Sequence, residues 1–160
     1  FISIGSNLGI RLPNILNAIK TIDDDSNISI ISKSPIYEST PMYNIKQNKF
    51  LNIVLELKTN INPIELLYLF KGIEEHMGRK LNNKKNQPRI IDIDILDYNK
   101  IIYNDNRLIL PHPRICERLF VLKPWSDICP EFKLPNMNNN IIQILSEMSS
   151  NKQHIELYSD

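Results

Sequence analysis

Apolar and polar positions alternate at the start of the chain, Phe1-Ile2-Ser3-Ile4, and predict a first strand stopped by Gly5-Ser6-Asn7-Leu8-Gly9. Leu12, Ile15, Leu16, Ile19 and Ile22 then recur at helical spacing, with Pro13 in the first turn. The acidic run Asp23-Asp24-Asp25 closes that helix. Residues 28–37 read as a second strand and 50–57 as a third, separated by a polar loop containing Pro41. Asn62-Pro63-Ile64-Glu65 has the signature of a capped helix start. The helix runs to about Met77, with Leu66, Leu69, Phe70, Ile73 and Met77 as the core stripe and Gly78 as the stop. Glu74 falls off that stripe beside Lys71, and an intrahelical Lys–Glu contact is its plainest reading.

A basic polar loop, 80–87, leads into the isoleucine-rich run 88–98. As a strand it puts Ile91, Ile93 and Ile95 on one face and Asp92 and Asp94 on the other. Tyr98-Asn99-Lys100 predicts a turn, making a small hairpin of 93–96 with Ile101-Ile102. After Leu108-Ile109-Leu110, the prolines of Pro111-His112-Pro113 hold His112 extended, with Arg114 and Arg118 close behind. The segment 115–122 is helical at its start. The order reads strand–helix–strand–strand–helix–strand, and without repeats or linkers the chain is expected to be one domain over 1–160.

Composition narrows the class. With 42% hydrophobic and 23% charged residues the chain has the balance of an ordinary globular domain, and 160 residues bury a real core. A net charge of +1 argues against nucleic-acid binding by bulk electrostatics. No apolar run approaches a membrane span, so neither a membrane nor a nucleic acid is expected as partner. Cys116 and Cys129 lack metal-ligand or redox spacing and are expected to be buried free thiols in a reducing, cytoplasmic setting. The start at Phe1 rather than Met suggests a chain trimmed or cut from a longer polypeptide.

Two carboxylates side by side on a sheet face repel each other and call for positive charge between them. Arg89 is one source; a hard divalent cation is the other. Taken alone, the D-x-D pattern favours two solvated acids. The Gly5–Gly9 segment has neither phosphate-loop spacing and reads as a plain turn, so any ATP phosphates must be held by side chains and metal. Phe50 and Phe120, on pattern alone, read as core.

Taken together, Gly5-Ser6-Asn7-Leu8-Gly9, Ser34 to Pro41, Phe50-Leu51-Asn52, Ile73-Glu74 with Gly78-Arg79, Pro88 to Asp94, and Pro111-His112-Pro113-Arg114 with Arg118 to Leu122 resemble the 6-hydroxymethyl-7,8-dihydropterin pyrophosphokinase family. The resemblance runs to about Pro130. It implies a ferredoxin-like α+β sandwich, an antiparallel-rich sheet with helices packed on its faces, which fits the element order above. It also implies pyrophosphate transfer from ATP to a pterin alcohol in folate biosynthesis. By that resemblance two Mg²⁺ ions sit on Asp92 and Asp94. Arg79, Arg89, His112 and Arg118 serve as catalytic phosphate ligands. Lys71, Glu74 and Arg107 contact ATP, with Ile95 and Ile109 near the adenine. Phe50 and Phe120 stack on the pterin, Asn52 pairs with its edge, and Ser39, Thr40 and Met42 line the same slot. The chain departs from the family pattern in the loop: Asn86-Gln87 stands for Trp-Gly, and Leu81 for an arginine with Lys84 and Lys85 as substitutes. Two other functions compete with this one. The first is a non-catalytic nucleotide-binding or scaffold domain of a folate-pathway protein fused to dihydropteroate synthase. The second is a kinase moving the γ-phosphoryl of ATP to another small alcohol. Both aspartates, the histidine and the arginines are present, which favours an enzyme.

Overall fold

The alternating first segment becomes the second strand of an antiparallel sheet, with Ile2 and Ile4 turned to a helical layer and Ser3 and Gly5 to the other face. The computed structural model describes residues 1–42, 46–79, 87–135, 137–148 and 153–159. The elements are β1 (Ile2–Ser6), α1 (Arg11–Asp23), β2 (Ile28–Lys33), β3 (Tyr37–Ser39), β4 (Phe50–Thr59), α2 (Pro63–His76), β5 (Asp92–Ile95), β6 (Tyr103–Asn104), β7 (Ile109–Leu110), α3 (Leu119–Ile128), α4 (Ile141–Glu147) and β8 (Ile155–Leu157). The main sheet has six strands in the order β5-β1-β4-β3-β8, and β2 pairs with the far half of β4. All its pairings are antiparallel. This is the expected ferredoxin-like α+β arrangement, with β8 added at one edge.

Two cores sandwich the sheet. On one face α1 contributes Ile15, Ala18, Ile19 and Ile22, and α2 contributes Leu66, Phe70 and Ile73, against Ile2, Ile4, Ile53, Ile93 and Ile95. On the other face α3 and α4 pack Val121, Leu122, Trp125, Ile141 and Ile144 against Val54 and Leu96. Trp125, the single tryptophan, is fully buried among Phe1 and Phe132. The second core covers only part of its sheet face, and the uncovered part is the cleft described below.

Several expectations change. Leu16 is half exposed and Ala18 takes its place in the core, because 15, 18, 19 and 22 share one face of α1 and 16 does not. The strand expected over 28–37 divides into β2 and β3. Pro35 has no N–H to give a ladder, and Ser34 turns its hydroxyl to the Pro35 carbonyl at 2.8 Å while accepting from the Val54 N–H at 3.0 Å. The hairpin with Ile101-Ile102 does not form. The Leu96 backbone is already taken, its N–H by the Phe1 carbonyl at 2.8 Å and its carbonyl by the His112 N–H at 2.8 Å. Asn99 and Lys100 turn with positive φ, Ile102 is exposed, and the paired hairpin is β6 with β7 instead. A 3-10 turn, Ile115–Glu117, precedes α3, so the main helix starts later than expected. The cysteines are free but not buried: Cys116 is exposed and Cys129 half-buried. No helix among the described residues is long and apolar enough to cross a membrane.

Candidate active site

The strand register builds the floor of the cleft. Gly5 lies between Asn52 on β4 and Asp92 on β5, and Ser3 between Val54 and Asp94. Because side chains alternate, Asp92, Asp94, Phe50 and Asn52 all rise from the face that α3 leaves uncovered. A cleft of about 740 Å³, counting the space at its open mouth, forms there, and Ser39, Thr40, Pro41, Met42, Gln47, Arg89, Arg114, Arg118 and Phe120 complete its wall.

Its two ends differ in chemistry. One end carries two rings and an amide. Phe50 and Phe120 are half-buried rather than core, and the Arg118 guanidinium lies 5.6 Å from the centre of the Phe120 ring. Asn52 is buried and its Nδ2 donates to the Ser39 hydroxyl at 2.9 Å, which leaves its carbonyl oxygen over Gly5. A methyl group at Gly5 would meet that oxygen at 3.3 Å, so the amide depends on glycine opposite it.

The other end is a lattice of charge. Asp92 pairs with Arg79 at 2.5 Å and with Arg89 at 2.6 Å, and Asp94 pairs with Arg118 at 2.9 Å. Arg118 is itself buried, and its Nε has no partner among the described residues. Burial pushes the Asp94 carboxyl up, but Arg118, His112 and Lys71 outweigh it and hold the group below its ordinary value. Burial works against the Arg79 charge too, yet Asp92 and Glu74 raise its pKa further.

Glu74 differs from its sequence reading. Its side chain is 1% exposed, and it accepts from Lys71, from Arg79 at 2.6 Å and from the Ile93 N–H of β5 at 2.6 Å. The intrahelical contact exists, but the carboxylate mainly ties α2 to the D-x-D strand. Burial raises its pKa, helped by Asp92 and opposed by Lys71 and Arg79. His112 lies beside this end without lining the cleft. Its Nδ1 accepts from the Arg114 N–H at 3.1 Å, so the neutral ring carries its proton on Nε2 as a donor. Burial lowers its pKa despite the pull of Asp94.

The structure thus gathers Ser39, Thr40, Met42, Phe50, Asn52, Arg89, Asp92, Asp94, Arg118 and Phe120 around one cleft. Arg79 and Glu74 join it through ion pairs, and Lys71 through Glu74. The other residues expected at the nucleotide lie elsewhere. Ile95 points into the core with 3% exposure, so only its backbone is left to meet a ligand. Arg107 pairs with Asp105 at the exposed turn between β6 and β7, and Ile109 is exposed on β7. Leu81, Lys84, Lys85 and Asn86 lie outside the described residues. Sequence reasoning missed Ser3, Ile4, Gly5, Pro41, Gln47 and Arg114 as cleft residues. The alternation through β1 carried a signal for Ser3 and Gly5, but the register against β4 and β5 did not.

The model of the 7,8-dihydro-6-hydroxymethylpterin-pyrophosphokinase (HPPK) family matches residues 1–130. The folic acid synthesis protein FOL1 of Dictyostelium discoideum is 42% identical over 138 residues, covering 86% of this chain. The chain spans about a fifth of that protein's length. The 2-amino-4-hydroxy-6-hydroxymethyldihydropteridine pyrophosphokinase of Bacillus subtilis is 39% identical over 131 residues, 82% of this chain and 78% of that protein. The fold is that of a Plasmodium falciparum HPPK-DHPS crystal structure with pteroate, at a TM-score of 0.72 and 19% identity over 91% of this chain and 41% of that one.

Proposed function

The chain belongs to the 7,8-dihydro-6-hydroxymethylpterin-pyrophosphokinase family, and from that premise we propose that it transfers pyrophosphate from ATP to 6-hydroxymethyl-7,8-dihydropterin and releases AMP. The observation that carries this reading is the two-ended cleft: rings and an oriented amide at one end, paired carboxylates among arginines at the other. The flat heterocycle stacks on Phe50 and Phe120, and Asn52 pairs with its edge. This orientation directs the hydroxymethyl group along the floor toward Asp92 and Asp94.

Asp92 and Asp94 would hold the Mg²⁺ that the family implies. The donor set fits: both side chains offer only oxygen and rise from one face of β5 into the cleft. A two-carboxylate seat suits Mg²⁺, which keeps waters and takes phosphate oxygens as its other ligands. When bound, the metal neutralises charge on the transferred group and orients it. Arg79, Arg89 and Arg118, now counter-ions of the carboxylates, have guanidinium forks that match phosphate oxygens and offer themselves to a triphosphate. His112 donates from Nε2 without adding a full charge. The pterin oxygen attacks the β-phosphorus, the bond to the α,β-bridging oxygen breaks, and the hydroxyl proton is lost to solvent. The protein's part is positioning and electrostatics.

The same reading couples the chain to dihydropteroate synthase as the next user of its product, within one longer polypeptide or beside it. The free thiols Cys116 and Cys129 suit a reducing, cytoplasmic compartment. Incubation with ATP, Mg²⁺ and the pterin alcohol, followed by identification of the nucleotide, tests the proposal. AMP is expected. ADP would point to γ-phosphoryl transfer, and intact ATP with nucleotide bound would point to a scaffold domain.

A further inference from the structure

Beyond Gly5, the Gly5–Gly9 turn has no part in the chemistry above, yet it holds a fully enclosed polar side chain beside the cleft, that of Asn7. Asn7 has 0% exposure. Its Oδ1 accepts from the Arg89 N–H at 2.8 Å, and its own N–H donates to the Arg89 carbonyl at 3.1 Å. Its Nδ2 donates to Gln47 Oε1 at 2.9 Å and to the Asn48 carbonyl at 3.4 Å. One buried amide therefore joins two segments. The first carries Arg89, whose guanidinium pairs with Asp92 at the charged end. The second carries Gln47, which lines the cleft, and runs into Phe50 at the ring end. Asn7 itself does not line the cleft. Its acceptor and its two donors are all used, and no apolar side chain supplies either.

We infer that Asn7 is a positioning residue that couples the two ends of the cleft, so that a ligand ordering one end lowers the cost of binding at the other. The inference rests on the pyrophosphokinase reading. A triphosphate that takes hold of Arg89 fixes its backbone, and that backbone is bonded to Asn7 on both its N–H and its carbonyl. Through Nδ2 the same amide then fixes Gln47 and Asn48 beside Phe50. The ordering cost is met once and shared by the two ligands, which is positive coupling without a change of shape.

The test is calorimetric titration of the chain with a non-hydrolysable α,β-methylene analogue of ATP and Mg²⁺, with and without the pterin alcohol. The ratio of the two nucleotide dissociation constants is the coupling factor. In the wild type it is expected on the order of tenfold, and in Asn7→Ala within about twofold of one, with nucleotide affinity in the absence of pterin little changed. A direct ligand contact or a general loss of structure would lower the separate affinities and leave the ratio alone. An unchanged ratio in Asn7→Ala overturns the inference, as does a wild type that binds both ligands with a ratio of one. A wild type that binds neither ligand overturns the pyrophosphokinase reading and this inference with it. Should Asn7→Ala fail to fold, Gln47→Leu removes the shorter of the two ring-end bonds and leaves both Arg89 bonds. It too must bring the ratio toward one, and an unchanged ratio there overturns the coupling.

Discussion

Replacing Glu74 with alanine tests whether this carboxylate is a core fixture or half of a surface pair. In the folded protein it is 1% exposed and neutralises Lys71 at 2.9 Å and Arg79 at 2.6 Å. It also accepts from the Ile93 N–H at 2.6 Å, the backbone between Asp92 and Asp94. Truncation strands that buried N–H, at about 1–3 kcal/mol. It also takes a counter-charge from two cations, and breaking a fully buried pair costs roughly 3–5 kcal/mol. That figure is discounted here, because Lys71 and Arg79 keep 34% and 22% side-chain exposure and Arg79 keeps Asp92. Glu74→Ala should therefore cost about 3 kcal/mol in total. Glu74→Gln keeps an acceptor for Ile93 and should cost much less, because burial already raises the Glu74 pKa and works against its charged form. At about 2–4 °C per kcal/mol for a domain of this size, the alanine variant should melt roughly 6–12 °C lower. Urea unfolding followed by the fluorescence of Trp125, which is fully buried, gives the free energies directly. An exposed intrahelical Lys–Glu pair is worth only about 0.3–0.5 kcal/mol. Losses of that size, equal in both variants, would refute the reasoning and restore the surface pair.

Three further outcomes follow from the site and its flanks. Asp92→Ala and Asp94→Ala should each cut AMP formation by about a thousandfold or more, since several kcal/mol of charge stabilisation is lost. Asp94→Ala should also lower the urea midpoint more than Asp92→Ala, because buried Arg118 loses its carboxylate while Arg79 keeps Glu74. Gly5→Ala should weaken pterin binding about tenfold in calorimetry, from overpacking against Asn52, and leave nucleotide binding as it was; unchanged pterin affinity counts against the cleft floor described here. Asp97 is buried with its pKa raised by that burial, so its charged form opposes folding. Because the folded state binds that proton more tightly, the wild type loses stability as pH rises above the ordinary aspartate range of about 3.9. Asp97→Asn should accordingly stabilise the protein at neutral pH, with the gain vanishing in acid; melts of both proteins across pH check the sign.

The sequence was most informative where periodicity and local chemistry agreed. Asn62 does cap α2 through the Glu65 N–H, and Ile91, Ile93 and Ile95 are all buried while Asp92 and Asp94 face the cleft. It was least informative where a side chain's fate depends on a distant neighbour. Glu74 looks like half of an intrahelical pair until β5 places the Ile93 N–H against it. Ile101-Ile102 looks like a strand until Phe1 and His112 use up the Leu96 backbone. Phe50 and Phe120 read as core, and are instead half-buried at a cleft, because Phe120 sits in the first turn of α3 at the edge of the second core and Phe50 starts β4 beyond it.

By itself, then, the sequence determined the order of the elements from β1 to the D-x-D strand, apart from the break between β2 and β3, most of the faces of those strands and helices, and the identity of the charged groups. These follow from spacings of a few residues, which the chain carries wherever it goes. Which strand lies beside which, and therefore which groups meet, was decided only by the tertiary structure. The register that sets Gly5 between Asn52 and Asp92, and the turn that closes Asn7 on Arg89 and Gln47, join residues 40 to 87 positions apart. Such contacts form only when two cores have excluded water from both faces of one sheet. A turn that reads as plain punctuation in the chain thereby becomes the buried link between the two ends of the site.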